Sequence, residues 1–265
     1  MGLIAPREPE AFHFSSPREA VSVIDYLRPL GGIRLFDAIA EAVASFPGLE
    51  IPLLALACQL YAAQEDRSRY ALYQARIFDF PITSGNRVLD LGSGHAPFPL
   101  ATHLADIDLG SGQIGRAGVA FRHVRGKPVF RCSVEKTPFA DKEFDFVYCS
   151  HVLEHAQDPA AACAELMRIA RRGYIETPTR GKDVFLRSAQ ISNHKNYCEL
   201  FHGVLTFRHY EAWEMDGIGF DILQKMHTSP ETEREKAFSA LLYLYPRAVN
   251  VMLLWEDGFE FLVEY

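Results

Sequence analysis

An α/β fold built on a mostly parallel sheet is the class this sequence predicts, and three observations predict it. Between residues 81 and 180, short apolar runs alternate with helical patterning, as parallel strands joined by right-handed crossovers require. The first of those runs, RVLDL at 87–91, leads straight into Gly92-Ser93-Gly94, a turn whose missing side chains let the backbone approach a ligand. Near the C-terminus, residues 249–255 and 259–263 are apolar runs flanking Asp257-Gly258, the signal of an antiparallel hairpin that completes the sheet.

The elements follow in order. Ser16-Pro17-Arg18-Glu19 reads as a helix start, with Ser at the cap and Pro at the first position. Val21, Ile24 and Leu27 give that helix one apolar face, and Gly31-Gly32 stops it. Apolar stripes over 33–46 and 51–63 predict two more helices, and a fourth runs from Ala71 to Ile77 after Glu65-Asp66-Arg67. Residues 1–80 therefore read as a helical extension, either a cap on a sheet or a lid over a substrate. Residues 81–265 read as the α/β part, with too little in the flanks for a second independent domain. Within it, 87–91, 128–131, 144–149 and 174–177 predict strands, and Asp158-Pro159 opens a helix whose apolar positions are Ala162, Leu166 and Ile169. Arg171 and Arg172, before Gly173, read as its solvated C-terminal end.

Composition narrows the function. The 265 residues carry 27 Lys+Arg against 34 Asp+Glu, a net charge of −7 that lacks the basic footprint of a phosphate-backbone binder. The longest apolar run, 53–58, falls short of the roughly 18 residues of a membrane span. The opening MGLIAPREPE lacks the pattern of a secretory signal. Cys58, Cys132, Cys149, Cys163 and Cys198 are widely spaced and contain no CxxC, which argues for free thiols in a reducing, cytoplasmic setting and against a zinc site.

Chemistry concentrates after the strands. Asp90, at the end of the first strand, repels a pyrophosphate but suits a cationic amino group. Asp106 stands sixteen residues further on, close to the spacing of an acid that takes ribose hydroxyls. Three segments, VLDLGSG at 88–94, VEKTPFADKEFDFVYCSHVLEH at 134–155 and ELMRIARRGYIETP at 165–178, together resemble the class I S-adenosylmethionine-dependent methyltransferases. The nearest pattern is the branch (methyltransferase type 11) whose signature runs D-x-E-x-L-P-F, F-D-x-V, L-E-H and R-x-x-K-x-G-G. The resemblance covers about residues 85–180.

It implies a Rossmann-like sheet and a set of cofactor contacts. Asp90 would hold the methionine amino group, while Gly92, Ser93 and Gly94 form the close-approach loop. Asp106, with Ile107 beside it, would take the ribose hydroxyls, Asp108 being the rival if the register shifts by two. Ser133 and Val134 would border the adenine, and Cys149 and Ser150 the methionine arm. The chain departs from the pattern where Ala96 replaces a third glycine and where Ser133 replaces an acid. It departs again where Pro97 and Pro99 forbid a regular first crossover helix, and in the Gly- and Arg-rich stretch 110–127.

The implied reaction moves a methyl group from S-adenosylmethionine to an O or N of a small-molecule acceptor, leaving S-adenosylhomocysteine. His151 is the first candidate for a general base and His194 the second, with His155 structural and Glu176 placed to bind an amine or hydroxyl. His194, Lys195, Tyr197, His202 and His209, in the stretch 191–209, suit an acceptor pocket. Their spacing offers no metal-ligand pattern such as HxxxH, so no metal is expected. Two alternatives stay open: a non-catalytic methyltransferase-like interaction module, and a cofactor-binding enzyme with different chemistry.

Overall fold

The computed structural model of the chain describes residues 2–110, 118–186, 193–211, 214 and 221–264. In chain order the elements are β1 (Gly2–Ile4), α1 (Pro17–Leu27), α2 (Ile33–Ser45), α3 (Glu50–Ala63), and a π-helical turn (Tyr70–Gln74) running into α4 (Ala75–Ile77). Then come β2 (Val88–Leu91), β3 (His103–Asp106), β4 (Val129–Arg131), β5 (Phe144–Ser150), α5 (Pro159–Ile169), β6 (Ala170–Pro178) and α6 (Arg180–Phe185). The chain ends with β7 (Asn196–Phe201), β8 (Val204–His209), α7 (Asp221–Thr228), α8 (Glu233–Leu244), β9 (Asn250–Glu256) and β10 (Glu260–Glu264).

These elements form two compact units, one of Met1–Ala5, Phe80–Asp221 and Val249–Tyr265, the other of Pro6–Asp79 and Ile222–Ala248. This differs from a division into 1–80 and 81–265. In the helical unit, α8 contributes Ala237, Ala240 and Leu244 to the same core as Ile24, Ile39 and Leu54 of α1–α3. A helix far along the chain is thus recruited by the apolar faces near its start. Thr232 caps α8 in a reciprocal box with Glu235, and Ser16 caps α1 by accepting the Glu19 N–H. Asp37, buried in this unit, is neutralised by Arg7 at 2.6 Å and Arg76 at 3.5 Å.

The other unit holds a seven-stranded sheet in the order β1-β9-β6-β5-β2-β3-β4. The five strands from β6 to β4 run parallel, β9 lies antiparallel to β6, and β1 antiparallel to β9. From β2 the chain steps to β3 and β4 on one side, then returns to build β5 and β6 on the other. The reversal between β2 and β5 is the switch point at whose carboxyl end α/β sheets bind ligands.

One face of this sheet packs against α5. Asp158 accepts the Ala161 N–H at 3.0 Å to start that helix, and its Ala162, Cys163, Leu166 and Ile169 are wholly buried against Leu89, Val147, Cys149 and Ile175. The helix ends one residue before β6 begins, so Arg171 and Arg172 lie in a strand rather than at a helix end. The Lys142 ammonium takes the Met167 carbonyl at 2.5 Å and the Ala170 carbonyl at 2.8 Å, capping the helix while Ala170 already pairs with Phe144.

The opposite face carries an aromatic stack, Phe98 on Tyr148 at 4.1 Å and Tyr148 on Tyr174 at 5.5 Å, with Phe80 alongside. The first crossover contains no helix, as its prolines require. In the second, residues 111–117 fall outside the described residues, and 118–128 contain no helix.

The C-terminal pairing differs from the expected hairpin. β9 enters the sheet antiparallel, but both its edges are taken, by β6 and by β1. Asp257, at φ 57, and Gly258, at φ 116, therefore pass the chain to a second sheet of order β10-β8-β7, in which β10 runs parallel to β8 and β7–β8 is the antiparallel hairpin.

Candidate functional site

The site is built at the carboxyl ends of β2, β3 and β5. Gly92 takes φ 85 and Gly94 φ 55, and the N–H groups of Gly92 and Ser93 both donate to the Ala105 carbonyl, at 2.8 and 3.0 Å. A Cβ on Gly92 would lie 2.1 Å from Val152 Cγ2, so the loop after β2 closes against the loop after β5 only because no side chain intervenes. Asp106 ends β3. Its Oδ2 accepts the Gly94 N–H and its Oδ1 the Asp108 N–H, each at 2.9 Å, which ties the acid to the glycine loop. Asp108 lies past the strand and binds the Gly110 N–H, and Ile107 between them is 46% exposed.

Asp90 is buried and accepts the Phe98 N–H at 2.7 Å. Phe98 sits between two prolines in a segment without a helical partner for that N–H, so Asp90 staples the shortened crossover. Ser93 and Ser150, at the ends of the adjacent strands β2 and β5, are buried with hydroxyls that have no hydrogen-bond partner among the described residues. Buried polar groups are almost always paired. Two such hydroxyls beside a glycine loop and two acids fit the polar methionine and ribose parts of S-adenosylmethionine.

Other expected contacts are placed differently. Cys149 points into the core beneath α5 because side chains alternate along β5, and burial pushes its thiol well above the usual range. Its side chain therefore does not border the edge that Ser150 faces. Val134 is buried in the same core, and the Ser133 hydroxyl accepts the Glu135 N–H at 3.2 Å within a tight turn.

On the acceptor side, His151 adopts φ 57, and its N–H donates to the Glu176 carbonyl at 2.7 Å. Its ring lies between two carboxylates, Nδ1 at 3.3 Å from Glu154 Oε1 and Nε2 at 3.3 Å from Glu176 Oε1. Glu176 is wholly buried and also accepts from the Tyr174 hydroxyl, so it orients His151 rather than facing an acceptor. Glu154 is 1% exposed. Burial pushes its carboxyl up, but the His151 contact and the charge of His151, His155 and His194 outweigh burial and hold it at about 2.

His194 is not a surface residue of an open pocket. It meets His155 edge to face at 4.7 Å and places Nδ1 at 3.0 Å from Asp183 Oδ2. Burial works against its proton, yet Asp183 and Glu154 raise its pKa, whereas burial lowers that of His155. Tyr197 packs on Arg180, and His209 reaches Asn196, so neither joins this cluster. His202 sits in the β7–β8 turn at φ 49, and Ile191 and Ser192 lie outside the described residues. Glu154 and Asp183 carried no sequence signal as site residues. The adjacency of two ionisable groups in Leu-Glu-His was the available hint, and 39 positions separate His155 from His194, so no local spacing joins them.

Comparison with known proteins bears on the same segment. Residues 89–175 match the family described as a methyltransferase domain. A ubiquinone biosynthesis O-methyltransferase of Aromatoleum aromaticum is 34% identical over 116 residues, 39% of this chain and 48% of that protein. The chain thus spans about half the length of the curated relative it matches. Solved structures overlap it in part. An S-adenosylmethionine-dependent methyltransferase from Mesorhizobium loti is 20% identical over 48% of this chain and 58% of its own, with a TM-score of 0.29. A Haemonchus contortus phosphoethanolamine N-methyltransferase, solved with S-adenosylhomocysteine, is 20% identical over 38% of this chain and 26% of its own, with a TM-score of 0.31. Overlaps that small add nothing to the strand order, the motifs and the family match. On those three grounds, residues 89–175 match a methyltransferase domain, and their strand order and motifs agree with the class I S-adenosylmethionine-dependent fold.

Proposed function

We propose that this chain moves the methyl group of S-adenosylmethionine to an oxygen or nitrogen of a small-molecule acceptor. The observation that carries the reading is the pair of buried hydroxyls of Ser93 and Ser150 at the switch point, inside the matched segment and without a hydrogen-bond partner among the described residues. Bound there, the cofactor would supply an electrophilic methyl on a sulfonium, open to in-line attack by the acceptor with S-adenosylhomocysteine as the leaving group. Orientation then provides most of the acceleration, and the chain's residues act chiefly by holding two reactants in place.

Gly92 and Gly94 admit the cofactor's close approach, Asp106 takes its ribose and Asp90 favours its amino group. The ribose role falls to a carboxylate whose position is fixed by the Gly94 and Asp108 N–H groups. For a hydroxyl acceptor, His151 is the proposed base. Its ring is held in place between Glu154 and Glu176. His194, with Nδ1 engaged by Asp183, is the second candidate. The net charge of −7 supports a metabolite over a nucleic acid as acceptor. The free thiols support a reducing, cytoplasmic setting, and no helix among the described residues is long and apolar enough to cross a membrane.

A second reading, a non-catalytic interaction module, draws support from the exposed Tyr26 and Leu30 at the end of the first helix. Calorimetry with S-adenosylhomocysteine tests the cofactor. The expected result is saturable binding, and its absence at high micromolar ligand overturns the assignment. Mass spectrometry of co-purified ligands then separates the readings, since an interaction module binds the cofactor without methylating any acceptor.

A further inference from the structure

Glu154, His155 and His194 bring three donor atoms within 4.8 Å of one another. The first two sit in the turn Leu153–His155 that follows β5, and the third leads into β7. Three hydrogen bonds lock these segments together. Lys195 N–H donates to the Glu154 carbonyl at 2.7 Å, His155 Nδ1 to the Asn193 carbonyl at 3.1 Å, and Asn196 Nδ2 to the Ala156 carbonyl at 2.8 Å.

The remaining bonds sort the ring nitrogens. A carbonyl and a carboxylate can only accept, so Nδ1–H of His155 is spent on Asn193 and Nδ1–H of His194 on Asp183. In the neutral imidazoles Nε2 is then the nitrogen left with a lone pair, the arrangement by which an outer partner fixes the tautomer of a metal-binding histidine. Asp183 is itself held by the Tyr210 hydroxyl at 3.0 Å and lies in α6. Glu154 supplies the second observation. Both its oxygens are buried, and among the described residues only the His151 ring, with Nδ1 at 3.3 Å from Oε1, approaches them as a donor. A buried carboxylate in that state needs a cation.

We propose that Glu154, His155 and His194 bind a divalent first-row transition ion of the zinc kind. Two imidazoles and one carboxylate are borderline donors that suit such an ion better than magnesium or calcium, which prefer oxygen ligands. Bonds of about 2.0–2.2 Å would draw the donors together by modest side-chain rotation. Three protein ligands leave coordination positions open to water or to an acceptor's oxygen. His151 stands 3.3 Å from Glu154, so a role of the ion toward the acceptor rests on the methyltransferase reading, whereas binding of the ion does not.

The test uses the full chain, stripped with chelator and dialysed against micromolar zinc chloride, with metal counted by mass spectrometry and affinity read by calorimetry. About one equivalent is expected to stay bound, lost in both E154Q and H194A but kept in H209A, which lies outside the cluster. D183N, which loses only the outer partner of His194, should bind zinc roughly 10–100-fold more weakly. Cobalt substitution gives a second readout, a visible absorption band in wild type that H155A abolishes. Circular dichroism checks that each variant is folded. Wild type that retains no zinc overturns the proposal, as does stoichiometric binding that survives in E154Q, H155A and H194A alike; in that case the cluster is an ion pair held by protonated imidazole. S-adenosylhomocysteine titrated into the stripped protein tells failure of this site from failure of the cofactor reading.

Discussion

Asp106 has one backbone N–H on each oxygen, from Gly94 and Asp108, and still faces the carboxyl edge of the sheet. An acid fixed this way is preorganised to accept two neighbouring hydroxyls. Asp106→Ala is therefore expected to weaken S-adenosylhomocysteine binding by about 1–3 kcal/mol, the range for loss of a charged hydrogen-bond partner. An unchanged calorimetric affinity would remove Asp106 from the site. Gly92 answers to a different constraint. At φ 85, with Val152 Cγ2 where a Cβ would go, Gly92→Ala should cost at least about 1–2 kcal/mol for the backbone conformation alone. Adding Val152→Ala should return only the steric part of the loss, a coupling readable from thermal melts of the single and double variants. Both positions were legible in the sequence, because a strand, an acid and a glycine turn are local. Asp90 was read only in part, since its bond to Phe98 depends on how the prolines bend the crossover.

Among the elements, α5 shows what local sequence can and cannot say. Its start at Asp158-Pro159 and its apolar face were readable, but its end was not, because the capping group is Lys142, 27 residues before Ile169. Its outer side is fastened by Glu165, which accepts from Thr137 N–H at 2.7 Å and Thr137 Oγ1 at 2.6 Å and pairs with Arg168. Burial pushes the Glu165 carboxyl up, but Arg168 and Thr137 outweigh it and hold the pKa at about 2. A folded-state pKa below the unfolded value adds stability that is present above pH 4–5 and lost as pH falls toward 2. Glu154 shares that direction. Glu165→Gln is thus expected to lower the melting temperature at pH 7 and to shallow the decline between pH 5 and 2 without abolishing it. Parallel acid limbs in wild type and variant would rule the contribution out. The apolar pattern at 259–263 predicts the strand that β10 is, but its partner is β8 rather than β9. Apolar runs and an Asp-Gly turn do not reveal that β1 already occupies the edge of β9.

At the scale of the molecule, each unit is assembled from segments far apart in the chain. A fragment of residues 81–265 keeps α8 but lacks α1–α3, whose side chains share a core with its Ala237, Ala240 and Leu244. It also lacks β1. That fragment is expected to aggregate, or to bind a dye for exposed apolar surface, where the full chain stays soluble. A soluble fragment with a sharp melting transition would show that the helical unit is dispensable for the rest.

The sequence by itself determined the parallel α/β core, the glycine loop and its two acids, and the helices of residues 17–77. Each of these depends on spacings of a few residues, along a strand, a turn or one helical face. Only the tertiary structure decided where α8 belongs, which strand β10 joins, and that Glu154, His155, His194 and Asp183 meet. Those outcomes depend on which edges and apolar faces remain unfilled once the chain has folded back, and on buried charges finding partners tens of residues away.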